Sequence, residues 1–139
     1  MTPEELAAVA TREAAEHLPG HLGLVFTAME QGRAHATMPV TIRHMAVNGF
    51  LHAGALATLA DTVCATGCRY SLPDGAVNFT TVELKVNFLG TVREGEVVCE
   101  GRLVHGGRTT QVWDASVVDP TSGRTLALFR ATQLILYPR

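Results

Sequence analysis

The fold of this chain is governed by the segment from His44 to Cys68, which reads HMAVNGFLHAGALATLADTVCATGC. From His52 onward the segment is rich in Ala and Leu, contains no Pro, and has apolar residues on every helical face. This pattern predicts a long helix over residues 52–70 that is buried on all sides. Asp61 stands out because it is the only carboxylate in the segment, and a buried carboxylate is costly unless it is paired, protonated or used in chemistry. We therefore expect function to centre on Asp61.

The residues before this helix predict a shorter helix and two strands. The sequence TPEE from Thr2 is typical of a helix start, so residues 1–20 are expected to form an N-terminal helix, ending near His17, and a lead-in. Leu22–Glu30 and Arg33–Pro39 have the composition of two consecutive strands. A polar loop over residues 41–51 then leads into the long helix.

Four more strands are predicted after the long helix. Between Thr80 and Leu89 apolar and polar side chains alternate, and the apolar face consists of Val82, Leu84, Val86 and Phe88. Alternation with a period of two residues predicts a half-buried strand. Three further strands are expected over Glu96–Val104, Thr109–Val118 and Arg124–Tyr137, and the first two of these are joined by a tight hairpin at residues 105–107.

This order of elements predicts a single α+β domain over residues 1–139. An antiparallel sheet of about six strands would wrap around one long central helix, with the short N-terminal helix as an addition. Long edge strands usually pair with another chain, so we expect a homodimer with the helix ends near the interface, and a homotetramer as the larger assembly.

Composition limits the classes of partner and site. The net charge of −2 gives no reason to expect nucleic acid or a membrane as a partner, and no signal peptide or membrane-spanning apolar run is visible. Cys64, Cys68 and Cys99 form no disulfide framework and predict a reducing, cytoplasmic setting. Cys64 and Cys68 share a helix face, but no second close pair of ligands completes a zinc site, so no metal is expected.

The start of the long helix resembles the signature of a known family. Residues 48–56, NGFLHAGAL, followed by Leu-Ala-Asp at residues 59–61, resemble the motif of the PaaI-like hotdog-fold acyl-CoA thioesterases. The stretches TTVELK from Thr80 and HGGRT from His105 are similar to the third strand and the hairpin of that family. The resemblance covers residues 45–136 and implies the hotdog fold and hydrolysis of an acyl-CoA thioester.

Thioester hydrolysis suits the residue types at the helix. Asp61, desolvated among apolar residues, should have a raised pKa and can deprotonate a water molecule or attack the carbonyl; the alternative is a structural ion pair with an Arg. Ala53 and Gly54 lie in the first helical turn, where unpaired N–H groups and the positive end of the helix dipole favour an oxyanion. Ala53 departs from the family, which commonly has Gly there; its N–H remains, but the room for the substrate shrinks.

His52 and Asn48 each have two interpretations. Asn48 holds the thioester carbonyl or the attacking water, or it only bonds its own backbone in a turn. His52 takes part in the chemistry, or it only caps the helix. The nine residues from His52 to Asp61 span about 13 Å of helix, so one subunit cannot place both at the same carbonyl. If they act together, the active site is shared across a dimer, which is also what the resemblance implies.

Coenzyme A is expected as part of the substrate, with no other cofactor required. Gly107, Arg108 and Thr109 at the hairpin are candidates to contact a CoA phosphate, and Arg93 is a weaker candidate for the same task. Thr80 and Thr81 either line the acyl site or simply suit a strand.

The sequence leaves the acyl group and two other functions open. Small aryl groups and medium-chain acyl groups both fit a pocket walled by Ala, Leu and Val. A hotdog-fold enoyl-CoA hydratase or dehydratase would pair a His with an acid across the dimer in a similar way. A non-catalytic acyl-CoA-binding protein is the third possibility.

Overall fold

The computed structural model describes residues 1–139, which form three helices, six strands and one short 3-10 turn. The helices are α1 (Pro3–Ala14), α2 (Leu18–His21) and α3 (Ala53–Arg69), and the 3-10 turn is Ile42–His44. The strands are β1 (Val25–Glu30), β2 (Arg33–Pro39), β3 (Asn78–Phe88), β4 (Glu96–Gly106), β5 (Thr110–Val118) and β6 (Thr125–Leu136).

The six strands form one sheet in the order β1-β2-β4-β5-β6-β3, with every neighbouring pair antiparallel. Helix α3 packs on the inner face of this sheet, against β2 to β6, and α1 packs against β1. A sheet curled around one central helix is the hotdog fold, so the predicted architecture is confirmed. Strand β3 is an edge strand, although it follows α3 directly along the chain.

His52 is the N-cap and Tyr70 the C-cap of helix α3, which agrees with the predicted range of residues 52–70. The prediction that this helix is buried on all sides is wrong for the single chain. One face is buried against the sheet, whereas the opposite stripe is only partly buried, because a six-stranded sheet covers one side of the helix. The partly buried stripe, termed the open stripe, consists of Ala57, Thr58, Asp61, Thr62, Ala65 and Thr66.

The N-terminal region differs in detail from the prediction. Thr2 and Glu5 form a capping box at the start of α1, as the TPEE sequence predicts, but α1 ends at Ala14 rather than near His17. Pro19 and Gly20 lie inside the one-turn helix α2 instead of terminating a longer one, because Pro is tolerated in a first helical turn. Strand β1 accordingly begins at Val25 rather than Leu22.

Strand β3 contains a bulge at Val82. Thr81 pairs with Gln133 of β6, but the next pair is Glu83 with Thr132, so Val82 is an extra residue without a partner. Thr81 and Leu84 therefore both face the helix side, as do Val86 and Phe88, and the prediction that Val82 belongs to that face is wrong.

The inward-facing row of β3 is less buried than predicted. Leu84 is 44% exposed and Phe88 is 46% exposed, because β3 lies at the sheet edge and α3 covers only part of it. The apolar face of this strand was expected to be covered, and in the single chain it is only about half covered.

The last three strands agree closely with the prediction. Strand β4 continues to Gly106, so residues 105 and 106 belong to the strand, and the turn that joins it to β5 lies at residues 107–109. The N–H of Gly107 donates to the carbonyl of Thr110 and closes this turn. None of the helices is long and apolar enough to cross a membrane.

Candidate active site

Asp61 lies in the middle of α3, on the open stripe, and one of its carboxylate oxygens is unpaired. Its Oδ1 atom is buried and makes no hydrogen bond. Desolvation raises the pKa of the Asp61 carboxyl above its ordinary value, and the nearby Thr81 hydroxyl acts in the opposite direction to a smaller extent. No salt bridge involves Asp61, so the structural ion pair with an Arg is not present in the chain.

The Thr81 hydroxyl also contacts a buried glutamine that was not among the sequence-predicted site residues. The Thr81 hydroxyl donates to Oε1 of Gln133 over 2.7 Å. Gln133 is completely buried, and its Nε2 has no hydrogen-bond partner. A signal for it exists in the sequence, since Gln133 has the same two-residue phase in β6 as the buried Phe129, Ala131 and Ile135.

The start of α3 is organised by the His52 side chain. Its imidazole Nδ1 accepts a hydrogen bond from the backbone N–H of Gly54 over 2.7 Å. A Cβ atom at Gly54 would lie 3.0 Å from this nitrogen, so the absence of a side chain makes room for the ring. Of the two N–H groups expected to form an oxyanion site, that of Gly54 is thus occupied by His52, whereas that of Ala53 donates to no group of the chain.

The loop before α3 is anchored by His44, another residue that the sequence analysis did not assign a role. His44 is buried; its Nε2 lies 2.7 Å from the Leu22 carbonyl, and its Nδ1 lies 2.9 Å from Thr41 Oγ1. Its own carbonyl accepts the backbone N–H of His52 over 2.9 Å. His44 therefore fixes the position from which the helix begins.

Asn48 lies in an exposed turn of this loop. Its Oδ1 accepts the backbone N–H of Phe50 over 3.3 Å, and Gly49 between them has a φ of +89°, which favours glycine. In the single chain Asn48 thus makes the local backbone contact that was one of its two interpretations, and its side chain remains exposed.

Arg93 lies beside the helix start. Its guanidinium is 5.7 Å from the centre of the Phe50 ring, and the neighbouring Thr91 hydroxyl accepts the backbone N–H of Leu51 over 2.9 Å. The connection between β3 and β4 is therefore held against the loop that contains Asn48.

The hairpin residues Gly107, Arg108 and Thr109 lie near the opposite end of α3. Gln111, just after the hairpin, donates from Nε2 to the carbonyl of Ser71, which follows the helix. The Arg108 guanidinium is 5.4 Å from the centre of the Tyr137 ring, whose hydroxyl donates to the Arg108 carbonyl.

The single chain thus brings the sequence-predicted residues together in three separate places. Asp61 and Thr81 meet at mid-helix; Asn48, His52, Ala53, Gly54 and Arg93 surround the helix start; and the hairpin residues lie near the helix end. Thr80 pairs with Leu134 on the outer face of the sheet, away from all three.

No group of three or more His, Cys, Asp or Glu side chains is arranged to hold a metal ion. The three cysteines are buried and unpaired.

Comparison with known proteins gives a consistent result. The sequence profile of the thioesterase superfamily matches residues 48–126. The chain is 34% identical to the proofreading thioesterase EntH of Klebsiella pneumoniae over 86% of this chain and 88% of that protein. It is 28% identical to a 1,4-dihydroxy-2-naphthoyl-CoA hydrolase of Listeria monocytogenes over 80% of this chain and 89% of that protein. A thioesterase structure from Pseudomonas aeruginosa superposes with a TM-score of 0.87 at 27% identity, covering 94% of this chain and 93% of that one.

Proposed function

This chain belongs to the thioesterase superfamily and is a thioester hydrolase of the hotdog fold, and from that premise we propose that it hydrolyses an acyl-CoA to a free acid and CoA. The observation that carries the proposal is the Asp61 carboxylate, which is unpaired at Oδ1 and raised in pKa by desolvation. Such a carboxylate is a stronger base and nucleophile than one in water. Asp61 either removes a proton from the attacking water or attacks the thioester carbonyl directly.

The active site of the proposal lies between two subunits. Nine helical residues, about 13 Å, separate His52 from Asp61, so the helix start that faces Asp61 belongs to a second chain. Two features of the single chain support such a partner: the open stripe of α3 carries Asp61, and the apolar row of the β3 edge is about half exposed. Pairing of the β3 edges of two chains would cover the open stripe and the apolar row, giving a homodimer with two shared active sites. Two such dimers would form a tetramer.

The helix start of the partner would hold the thioester carbonyl. The free N–H of Ala53 points out of the first turn of α3, where the helix dipole stabilises a developing negative charge. Because Nδ1 of His52 accepts a hydrogen bond, a neutral His52 carries its proton on Nε2 and presents a second donor. Asn48, exposed beside them, is within the same loop and would orient the carbonyl or the water.

The basic residues at the two ends of α3 would bind coenzyme A. In a dimer with antiparallel helices, the helix end of one chain lies beside the helix start of the other. Arg108, with Gly107 and Thr109, would then approach Arg93 of the partner chain, and guanidinium groups suit phosphate. Coenzyme A enters as part of the substrate, and the reaction uses water and no further cofactor.

The proposed substrate carries a small aryl group or a medium-chain acyl group. The open stripe around Asp61 presents small Ala and Thr side chains, and the helix-side row of β3 adds the apolar Leu84, which would give the acyl group uncharged neighbours. One relative is named for the hydrolysis of an aryl-CoA, a naphthoyl ester.

The direct test is a kinetic screen of aryl- and acyl-CoA esters that measures free thiol, with wild type and Asp61→Asn in parallel. Wild type should release thiol, and Asp61→Asn should lower kcat by about 10²- to 10⁴-fold, the range for loss of a general base. Thr62→Ser, a conservative change at the next position of the open stripe, is the matched control and should retain activity. Full activity of Asp61→Asn would refute the proposal, and conversion of an enoyl-CoA without thiol release would favour a hydratase instead.

A further inference from the structure

A cavity of about 410 Å³ lies between α1 and the C-terminal half of α3, and it is open to solvent on one side. Its volume is within the range of small-molecule sites, about 300–1,000 Å³. Ala65 and Thr66 of the open stripe line it from α3, and Phe79 lines it from β3. The cavity therefore shares the open stripe with Asp61.

Two elements lead from Asp61 into this cavity. Ala65 follows Asp61 by about one helical turn, a rise of about 6 Å. Phe79 precedes Thr81 by two residues on β3, about 7 Å, and faces the same side of the sheet. Since the Thr81 hydroxyl is near Asp61, the helix and the strand both place the cavity on the side of Asp61 that points to the helix end. A thioester carbonyl held at Asp61 could thus extend its acyl group into the cavity.

Helix α1 forms the opposite wall with the small side chains of Ala10 and Ala14. The helix is held on β1 by Thr11, whose hydroxyl accepts the backbone N–H of Phe26 over 2.9 Å. The middle of the cavity is therefore lined by small side chains and by the Phe79 ring, which suits contact with a second aromatic ring.

The end of the cavity far from Asp61 is formed by an ion pair. Nη2 of Arg69 lies 2.9 Å from Oε2 of Glu13, and both side chains are about half exposed. The Tyr70 hydroxyl donates to Oε1 of Glu13 over 3.2 Å, and the Arg69 guanidinium is 5.1 Å from the centre of the Tyr70 ring. Arg69 follows Asp61 by eight residues, about 12 Å of helix, so the far end of a bound acyl group would point at this pair.

Hydrogen-bonding groups remain free at the ionic end. Nε and Nη1 of Arg69 donate to no group of the chain, since both of its polar contacts use Nη2. The Thr66 hydroxyl is also free, unlike that of Thr58, which donates to the Gly54 carbonyl over 2.8 Å. A hydroxyl group placed here can accept from Arg69 and donate to Thr66.

Three kinds of acyl group differ in their fit to this end. A saturated chain would bring its apolar end against Arg69 and Glu13 and displace water without replacing its hydrogen bonds. A carboxylate would be attracted by Arg69 but repelled by Glu13. A ring hydroxyl carries no charge and replaces the contacts of the displaced water, so it fits best.

We propose that the cavity between α1 and α3 receives the acyl group, and that Arg69, Glu13 and Thr66 select an aryl group with a hydroxyl at the end far from the thioester. Helix α1 is thus a specificity element of the site. The inference rests on the function proposed above and narrows its acyl group.

The test measures free thiol released from 4-hydroxybenzoyl-CoA, benzoyl-CoA, 4-carboxybenzoyl-CoA and hexanoyl-CoA. The decisive quantity is the ratio of kcat/KM for the hydroxylated ester to that for benzoyl-CoA, and its change between variants cancels the intrinsic reactivity of the esters. We expect a wild-type ratio of about ten, the effect of one hydrogen bond to a charged group. Hexanoyl-CoA and 4-carboxybenzoyl-CoA should be poorer substrates than the hydroxylated ester.

The double variant Glu13→Leu with Arg69→Leu should lower this ratio about tenfold by loss on the hydroxylated ester alone. Its matched control is Arg33→Leu with Glu100→Leu, which removes an ion pair of 3.0 Å and similar exposure from β2 and β4. The control should keep the wild-type ratio, and exposed pairs of this kind contribute little to stability. Glu13→Gln leaves Arg69 uncompensated and should raise kcat/KM for 4-carboxybenzoyl-CoA about tenfold.

The inference fails if the wild type shows no preference for the hydroxylated ester, or if the Leu-Leu variant keeps that preference. An equal loss of the ratio in the control, or no gain for 4-carboxybenzoyl-CoA in Glu13→Gln, would also overturn it. Thr66→Val gives a separate result should the double variant not fold. It removes only the hydroxyl that faces the cavity and should lower the ratio several-fold, whereas an unchanged ratio would contradict the assigned role of Thr66.

A binding measurement separates this inference from the proposed function. In 4-hydroxyphenacyl-CoA and phenacyl-CoA a methylene group lies between the carbonyl and the sulfur, so neither can be hydrolysed. Calorimetry should show about tenfold tighter binding of the hydroxylated analogue to wild type and equal binding of both to the Leu-Leu variant. That result together with no thiol release from any ester would retain the selection and refute thioester hydrolysis. Hydrolysis by the wild type with equal binding of both analogues would refute the selection and retain the function.

Discussion

The imidazole Nδ1 of His52 accepts a hydrogen bond from the backbone N–H of Gly54 over 2.7 Å. The His52 side chain therefore caps α3 and also makes the Gly54 N–H unavailable to a substrate. The cap holds the ring at a fixed orientation, with Nε2 as its remaining nitrogen. It also leaves the N–H of Ala53 as the single unoccupied donor among those predicted for an oxyanion. Structural and chemical roles of His52 are therefore separable by substitution.

His52→Asn should retain the stability of the protein while lowering its activity. Asn is as good an N-cap as any residue, but it lacks the ring that presents Nε2. His52→Ala removes both roles and should in addition cost about 1 kcal/mol of unfolding free energy. Thermal melts and thioester kinetics of the two variants check this. Full activity of His52→Asn would mean that His52 only caps the helix.

Asp61→Asn should raise the melting temperature at neutral pH. The pKa of the Asp61 carboxyl is raised in the folded state, so the folded protein prefers the protonated form and loses stability as the pH rises from the unfolded-state pKa through the folded one. Asn carries no charge and avoids this loss. The difference in melting temperature between variant and wild type should thus widen from pH 3 upward and level off above the folded pKa. A constant difference across that range would contradict the desolvation of Asp61.

Leu84→Glu should dissociate the dimer, whereas Leu128→Glu should leave it intact. The two leucines are similarly exposed, at 44% and 48%, but Leu84 faces the helix side at the β3 edge and Leu128 lies on the outer face. A charge in the proposed interface should weaken dimerisation at least tenfold, about 1.4 kcal/mol or more. Sedimentation and kinetics on the same samples should show activity lost together with the dimer. Active monomers of Leu84→Glu would contradict a shared active site.

Arg108→Gln and Arg93→Gln should each raise KM for a CoA ester by about tenfold with little change in kcat. The reason is that a contact to phosphate stabilises the bound substrate and the transition state equally. The same acyl group on a short thiol that lacks the nucleotide provides the control, since its KM should not respond to either substitution. A fall in kcat at constant KM would place these residues at the thioester instead.

The sequence predicted the elements better than their burial. Strand β2 has the predicted bounds, and α3 differs only in that His52 and Tyr70 are its caps. The periodicity of α3 could not reveal the open stripe, because Ala and Thr suit both a covered and an exposed helix face. In the same way, the alternation in β3 could not reveal that this strand moves to the sheet edge, which follows only from the strand order.

The sequence predicted Asp61 and Thr81 as site residues but did not indicate Gln133, which contacts Thr81. Gln133 was overlooked because a single Gln in a strand is usually an outward-facing residue. Its phase with buried neighbours on β6 was the available signal, and Gln111 on β5 shows the same phase with Trp113. The burial of His44 had no comparable signal, because its partner Leu22 lies 22 residues away in the chain.

The bulge at Val82 shifts the alternation of inward- and outward-facing residues by one position within the eleven residues of β3. Before the bulge, the inward position falls on Thr81, beside Asp61; after it, the inward positions fall on Leu84, Val86 and Phe88. A regular strand with this sequence would turn either the hydroxyl or the apolar row away from the helix. Deletion of Val82 would therefore place Thr81 and the apolar row of β3 on opposite faces of the sheet. It would separate the proposed active site from the proposed interface without substituting a residue of either.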